Sequence, residues 1–137
     1  MNITTIQDIR ATAIEQFPYK GIMRDVIGVT IRWFSKAGMD DAGNPEYGFR
    51  YLTVAPGGHI PIHNHFYVQT MFIKEGTLEC TVHDMETGDP IETITCPAGT
   101  AVYTPSLEPH SITNKSTTTP AAFLCCICNV YEDSITI

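Results

Sequence analysis

The stretch Pro56-Gly57-Gly58-His59-Ile60-Pro61-Ile62-His63-Asn64-His65-Phe66-Tyr67-Val68-Gln69-Thr70-Met71-Phe72-Ile73-Lys74-Glu75-Gly76 is the most informative in this chain. It opens on a Pro-Gly-Gly turn signal and closes on the turn Glu75-Gly76. Between them, Phe66 to Lys74 is rich in aromatic and β-branched residues and reads as a strand. Side chains alternate along a strand, so His63, His65 and Gln69 share a parity and face one side. Two imidazoles on alternate residues can meet one metal ion from a single strand edge. Gln69 reaches the same point if the strand curves. A His-x-His pair alone also arises by chance, and a lone histidine is usually structural. The joint spacing is what argues for a site.

Working outward, the rest of the chain is also β-like. Val26 to Phe34 and Tyr47 to Val54 read as strands, separated by a loop rich in Gly, Asp, Asn and Pro. Pro56-Gly57-Gly58 is expected to close the second of these, which leaves His59 in an exposed loop. Thr77 to Asp84 and Ile91 to Thr95 form a hairpin across Thr87-Gly88-Asp89-Pro90. His83 in that hairpin reads as structural or solvated. Thr100 to Tyr103, His110 to Asn114 and Ala121 to Tyr131 follow as extended segments. Near the N-terminus, Ile9, Ala13, Ile14 and Phe17 recur at helical spacing, which predicts a short helix over Asp8 to Phe17, ended by Pro18. Many short strands with turns between them indicate an all-β sandwich or barrel.

The 137 residues suit one domain, 1–137, with a core large enough to need no staple. A formal charge of −7 argues against nucleic-acid and anionic-membrane partners, both of which need a basic face. No apolar run approaches the roughly 20 residues that span a bilayer. The first twenty residues carry Asp8 and Glu15 and do not resemble a signal peptide, so a cytoplasmic protein is expected. The five cysteines are odd in number and three cluster at Cys125, Cys126 and Cys128, which is no disulfide framework. Alternation sends Cys125 to one face and Cys126 and Cys128 to the other, as small apolar residues.

A second group consists of Gly99, Pro105, His110 and Asn114. His110 arrives from a distant strand, and closing a sheet into a barrel brings such strands together. It can therefore complete a site with His63, His65 and Gln69. Imidazole suits Zn, Cu, Fe and Ni, and oxygen suits Mn, so the mixed set fits a divalent transition metal.

The two groups together resemble the cupin family. Gly57 through His63, His65, Gln69 and Gly76 is similar to the motif G-x5-H-x-H-x3-E-x6-G, and Gly99 through Pro105, His110 and Asn114 to G-x5-P-x-G-x2-H-x3-N. The flanks Gly48 to Val54 and Phe123 to Cys125 resemble strands of small single-domain manganese-type cupins, so the likeness spans about residues 25 to 131. It implies a double-stranded β-helix, or jelly-roll barrel, and a homodimer. It implies metal ligands at His63, His65, Gln69 and His110, with manganese or iron leading and zinc, nickel, copper or cobalt as alternatives. Two departures stand out. Gln69 replaces the family's Glu, so every ligand is neutral and the site should favour an anionic or oxygen-rich small molecule. Leu107 replaces an inner Gly, which should change only the shape of a loop.

Around this centre, Arg50 is either a rim charge in solvent or a pocket cation for a carboxylate or oxyanion. Ile60, Met71, Tyr103, Phe123 and Cys125 are candidates for the substrate-lining wall, with plain barrel packing as the alternative. Three functions compete: a metal-dependent enzyme of dioxygenase or isomerase/lyase type, a non-catalytic metal-dependent binding or sensor module, and a barrel in which metal only stiffens the fold.

Overall fold

The computed structural model describes residues 1–41 and 43–129. Eleven strands follow a 3-10 turn at Ile6–Asp8: β1 Thr12–Ala13, β2 Gln16–Tyr19, β3 Ile22–Asp25, β4 Ile27–Ala37, β5 Tyr47–His63, β6 Val68–Glu75, β7 Thr77–His83, β8 Pro90–Pro97, β9 Ala101–Thr104, β10 His110–Thr113 and β11 Ala121–Cys128. β2 and β3 form a separate two-stranded ribbon. The other nine make one antiparallel sheet in the order β8-β7-β10-β5-β11-β6-β9, with β4 also on β5 and β1 on β4. The curled sheet is the jelly roll that the family resemblance implied.

β5 is the organising strand. Its first half pairs with β11 and β4, and its second half with β10. The Pro56-Gly57-Gly58 signal does not end the strand, contrary to expectation. It forms a bulge: the β4 register jumps from Val29↔Val54 to Ile27↔His59. Gly57 stands at φ 72°, and a Cβ on Gly58 would lie 2.7 Å from the Val54 side chain. The bend redirects the chain toward β10. His59 consequently sits in β5, not in an exposed loop, with Nδ1 2.8 Å from Thr113 Oγ1.

The N-terminal helix does not form. Of the segment Asp8 to Phe17, only Asp8 lies in a helical turn, and Thr12 and Ala13 pair with Ile31 and Thr30. The physical reason is competition: a helix this short is marginal in water, whereas the open edge of β4 offers backbone partners. Phe17 and Pro18 lie in the ribbon, where Pro18 pairs at an edge position that tolerates it.

The alternation predicted for β6 is observed. Gln69, Met71 and Ile73 are buried, and Thr70, Phe72 and Lys74 are exposed. Met71 and Ile73 join Val29, Leu52, Val54, Ile60, Leu78 and Phe123 in the core. Each such side chain contributes about 1.5–3 kcal/mol by leaving water. β11 divides as expected, with Phe123, Cys125 and Ile127 inside and Cys126 and Cys128 half-buried on the other face. All five cysteines are free. Val130 and Tyr131, expected at the end of this strand, lie outside the described residues. No helix among the described residues is long and apolar enough to cross a membrane.

Candidate metal centre

Register brings the second histidine group to the first. In the β5/β10 pairing His110 stands directly opposite His63. His65 follows two residues after His63, where β5 has ended, and its ring stacks on Tyr67 with centroids 3.9 Å apart. The His63 and His110 ring centroids are 4.3 Å apart, and those of His65 and His110 5.1 Å. One ligand nitrogen from each of the three lies within 4.8 Å of the others, a group that can hold a metal ion. From the ribbon, Phe17 stacks on His63 at 4.7 Å and 9°.

Each imidazole is oriented the same way. Nδ1 of His63 lies 2.9 Å from the Pro61 carbonyl oxygen, that of His65 2.8 Å from Tyr67, and that of His110 2.8 Å from Glu108. A carbonyl only accepts, so each Nδ1 carries the proton and donates, and each Nε2 is left with its lone pair. Such backbone anchoring is what fixes the tautomer and aim of metal-binding histidines. The His65 Nε2 is buried and has no hydrogen-bond partner. A buried acceptor without a donor is costly, and a cation in that position would satisfy it. The donor set therefore fits a divalent transition metal.

Burial pushes all three imidazoles toward the neutral form that ligands require. His63 is held well below the ordinary histidine range by burial and then by the neighbouring His110. His65 is pushed down to about 4 by the same two causes, and His110 is lowered by burial.

Gln69 lies beside the group. Its Nε2 is 3.1 Å from His110 Nε2, and its Oε1 is 3.6 Å from Cys125 Sγ. The amide nitrogen, not the oxygen, thus faces the imidazole, donating to its lone pair. A half-turn of the carboxamide exchanges the two atoms.

Arg50 is not a rim residue. It is 8% exposed, and its Nη2 donates to Cys125 Sγ at 3.0 Å. β5 carries it between Trp33 of β4 and Cys125 of β11. Burial pushes the Cys125 thiol up against the opposing pull of Arg50. A small cavity of about 20 Å³ is bounded by Arg50, His63 and Gln69, and by Ile60, Met71, Phe123 and Cys125. Four of the five candidate wall residues therefore meet there.

Tyr103 does not. It pairs with Thr70 of β6 and is half-buried. It borders a larger cavity of about 260 Å³ that His110 and Met71 also line. The inward residues of β9 are Val102 and Thr104, opposite Met71 and Gln69. Sequence reasoning also missed Phe17, Tyr67 and Glu108. Tyr67 was legible, since it follows His65 by two residues and shares its parity. Glu108 anchors His110 through its carbonyl and borders the larger cavity, where burial raises its carboxyl pKa. Phe17 carried no signal, because its segment read as a helix.

The site sits in a recurrent architecture. The polyketide cyclase RemF from Streptomyces resistomycificus superposes with a TM-score of 0.70 at 19% identity, covering 95% of this chain and 80% of its own. An RmlC-like cupin from Shewanella frigidimarina gives 0.67 at 13% identity, with 97% and 95% covered. An oxalate decarboxylase from B. subtilis gives 0.62 at 18% identity, covering 91% of this chain and 28% of its own. At these identities the likeness is one of fold. No curated protein sequence matches the chain. A family model does: the cupin-domain family (Cupin_2) matches residues 50–127, the stretch that holds both histidine groups, and the chain belongs to the cupins.

Proposed function

We propose that this cupin is a metal-dependent enzyme acting on a small oxygen-rich or anionic organic molecule. The observation that carries the reading is the convergence of three neutral imidazoles, each with Nδ1 spent on a backbone carbonyl and Nε2 turned to a common point. His63, His65 and His110 would hold the ion, with Gln69 as a fourth ligand through its oxygen after the half-turn of its amide. A bound divalent ion would supply Lewis-acid polarisation of substrate oxygens, and redox chemistry if it is manganese or iron.

The protein's own contribution is orientation and exclusion of water. The carbonyls of Pro61, Tyr67 and Glu108 fix the imidazoles. Phe17 covers one side of His63. Leu52, Ile60 and Phe123 give the small cavity an apolar wall, and electrostatic contacts are stronger beside such a wall than in open water. Among proteins of similar fold are a polyketide cyclase and an oxalate decarboxylase studied through its Mn(II) centres. Their chemistries agree with an oxygen-rich substrate and leave dioxygenase and isomerase or lyase types both open.

The test is elemental analysis of protein purified without added metal or chelator, beside His63→Ala/His110→Ala. About one transition-metal ion per chain, absent from the variant, is the expected result. Oxygen-consumption screens with diketones, enols and oxalate-type acids then follow for a manganese or iron protein. Stoichiometric metal retained by the variant would sink the site. Metal bound without turnover of any of these compounds would move the function to a binding or sensor module.

A further inference from the structure

Among the described residues that line the small cavity, Arg50 is the one that is charged at every physiological pH. No carboxylate among the described residues pairs with it. Its neighbours are the Cys125 sulfur at 3.0 Å, the face of Trp33 at 5.3 Å and the face of Tyr67 at 5.9 Å. Its Nε is buried and has no hydrogen-bond partner. Burying a cation among neutral groups is strongly unfavourable unless an anion joins it. The three imidazoles and Gln69 bring no charge either. A guanidinium and a divalent ion would thus share one cavity with nothing among the described residues to neutralise them.

We infer that Arg50 anchors a carboxylate of the substrate, and that the substrate class is small carboxylic acids with a second oxygen on the adjacent carbon, such as 2-hydroxy and 2-oxo acids. The second oxygen would face the histidines, a placement that rests on the metal reading above. The free guanidinium edge selects an acid over a neutral diketone or enol. The Nε–H and Nη–H groups of one guanidinium edge match the two oxygens of a carboxylate, and the Nε donor is unspent. Three strands hold the anchor in place, since β5 sets Arg50 between Trp33 of β4 and Cys125 of β11.

The test titrates acetate, glycolate and ethylene glycol into zinc-loaded and chelator-stripped protein by calorimetry, beside Arg50→Met. Acetate should bind both forms of the wild type. Glycolate should exceed acetate in the zinc-loaded form alone, and ethylene glycol should bind neither. Arg50→Met should weaken both acids by about tenfold or more at unchanged zinc stoichiometry. Acids that bind Arg50→Met as tightly as wild type, or ethylene glycol that binds as tightly as glycolate, would overturn the assignment. Should that variant not fold, the wild type still decides: saturating acetate should shift the Arg50 Nε–H resonance in an NMR spectrum, and an unmoved resonance refutes the anchor. Acetate binding through Arg50 in a protein that takes up no zinc supports the anchor and sinks the metal reading. Zinc uptake with no acid binding does the reverse.

Discussion

At the scale of single residues, Gln69 departs most from the motif that surrounds it. A carboxylate there would bring one negative charge to three neutral imidazoles. Gln69→Glu should therefore raise affinity for a divalent metal by about tenfold or more, since charge interactions strengthen away from water. The same change should weaken small carboxylates, because the added charge repels them. Competition with a metal-indicator dye and acetate titration of the loaded protein measure both; stronger acetate binding would contradict the charge argument. Leu107 is the second departure. Its backbone stands at φ 66°, the left-handed region that favours glycine. The loop holds that turn through Leu107 N to the His65 carbonyl at 2.8 Å and Asn64 Nδ2 to the Leu107 carbonyl at 3.1 Å. The Leu side chain thus leaves the backbone in a glycine-like conformation, where only a changed loop shape had been expected. Leu107→Gly should stabilise the protein by about 1 kcal/mol, read as a raised urea midpoint at unchanged slope.

At the scale of elements, Asn114 ties the two halves of the barrel. Its Nδ2 lies 3.1 Å from the Val54 carbonyl, 3.2 Å from Ala55 and 2.9 Å from Thr119, and its Oδ1 accepts from Ser116 N at 3.1 Å. Its own N–H donates to the Gly58 carbonyl. The bulge in β5 would otherwise leave these buried carbonyls without donors. Asn114→Ala should cost about 2–4 kcal/mol of stability, measured by denaturant unfolding. A loss confined to a few tenths would show that water replaces the side chain. The same bulge explains why the Pro-Gly-Gly signal misleads. Read locally it is a turn, and only the pairing with β4 and β10 on either side makes it a bend within one long strand.

At the scale of the whole molecule, the buried histidines couple stability to pH. Their folded-state pKa values lie below the ordinary value, with His65 at about 4. Between about pH 6.5 and 4 the unfolded chain takes up protons that the folded protein refuses. Stability of the metal-free protein should be full above about pH 6.5 and fall steadily as pH drops toward 4. Thermal unfolding across that window, beside the His63→Ala/His65→Ala/His110→Ala variant, checks this; the variant should show a flatter profile. An equally steep profile would place the linkage in other groups. The sequence by itself determined the β class, the inward parity of Gln69, Met71 and Ile73, the divided faces of β11 and the three histidines. Each follows from strand alternation, from the succession of short strands and turns, or from the spacing within the two histidine groups. It did not determine the fate of residues 8 to 17 or the continuity of β5. Those depend on which strand lies alongside, and an unpaired edge outweighs the weak preference of a short helix. Whether Arg50 met solvent or the site was decided in the same way. Its burial came from Trp33, Tyr67 and Cys125 closing around it from three separate parts of the chain.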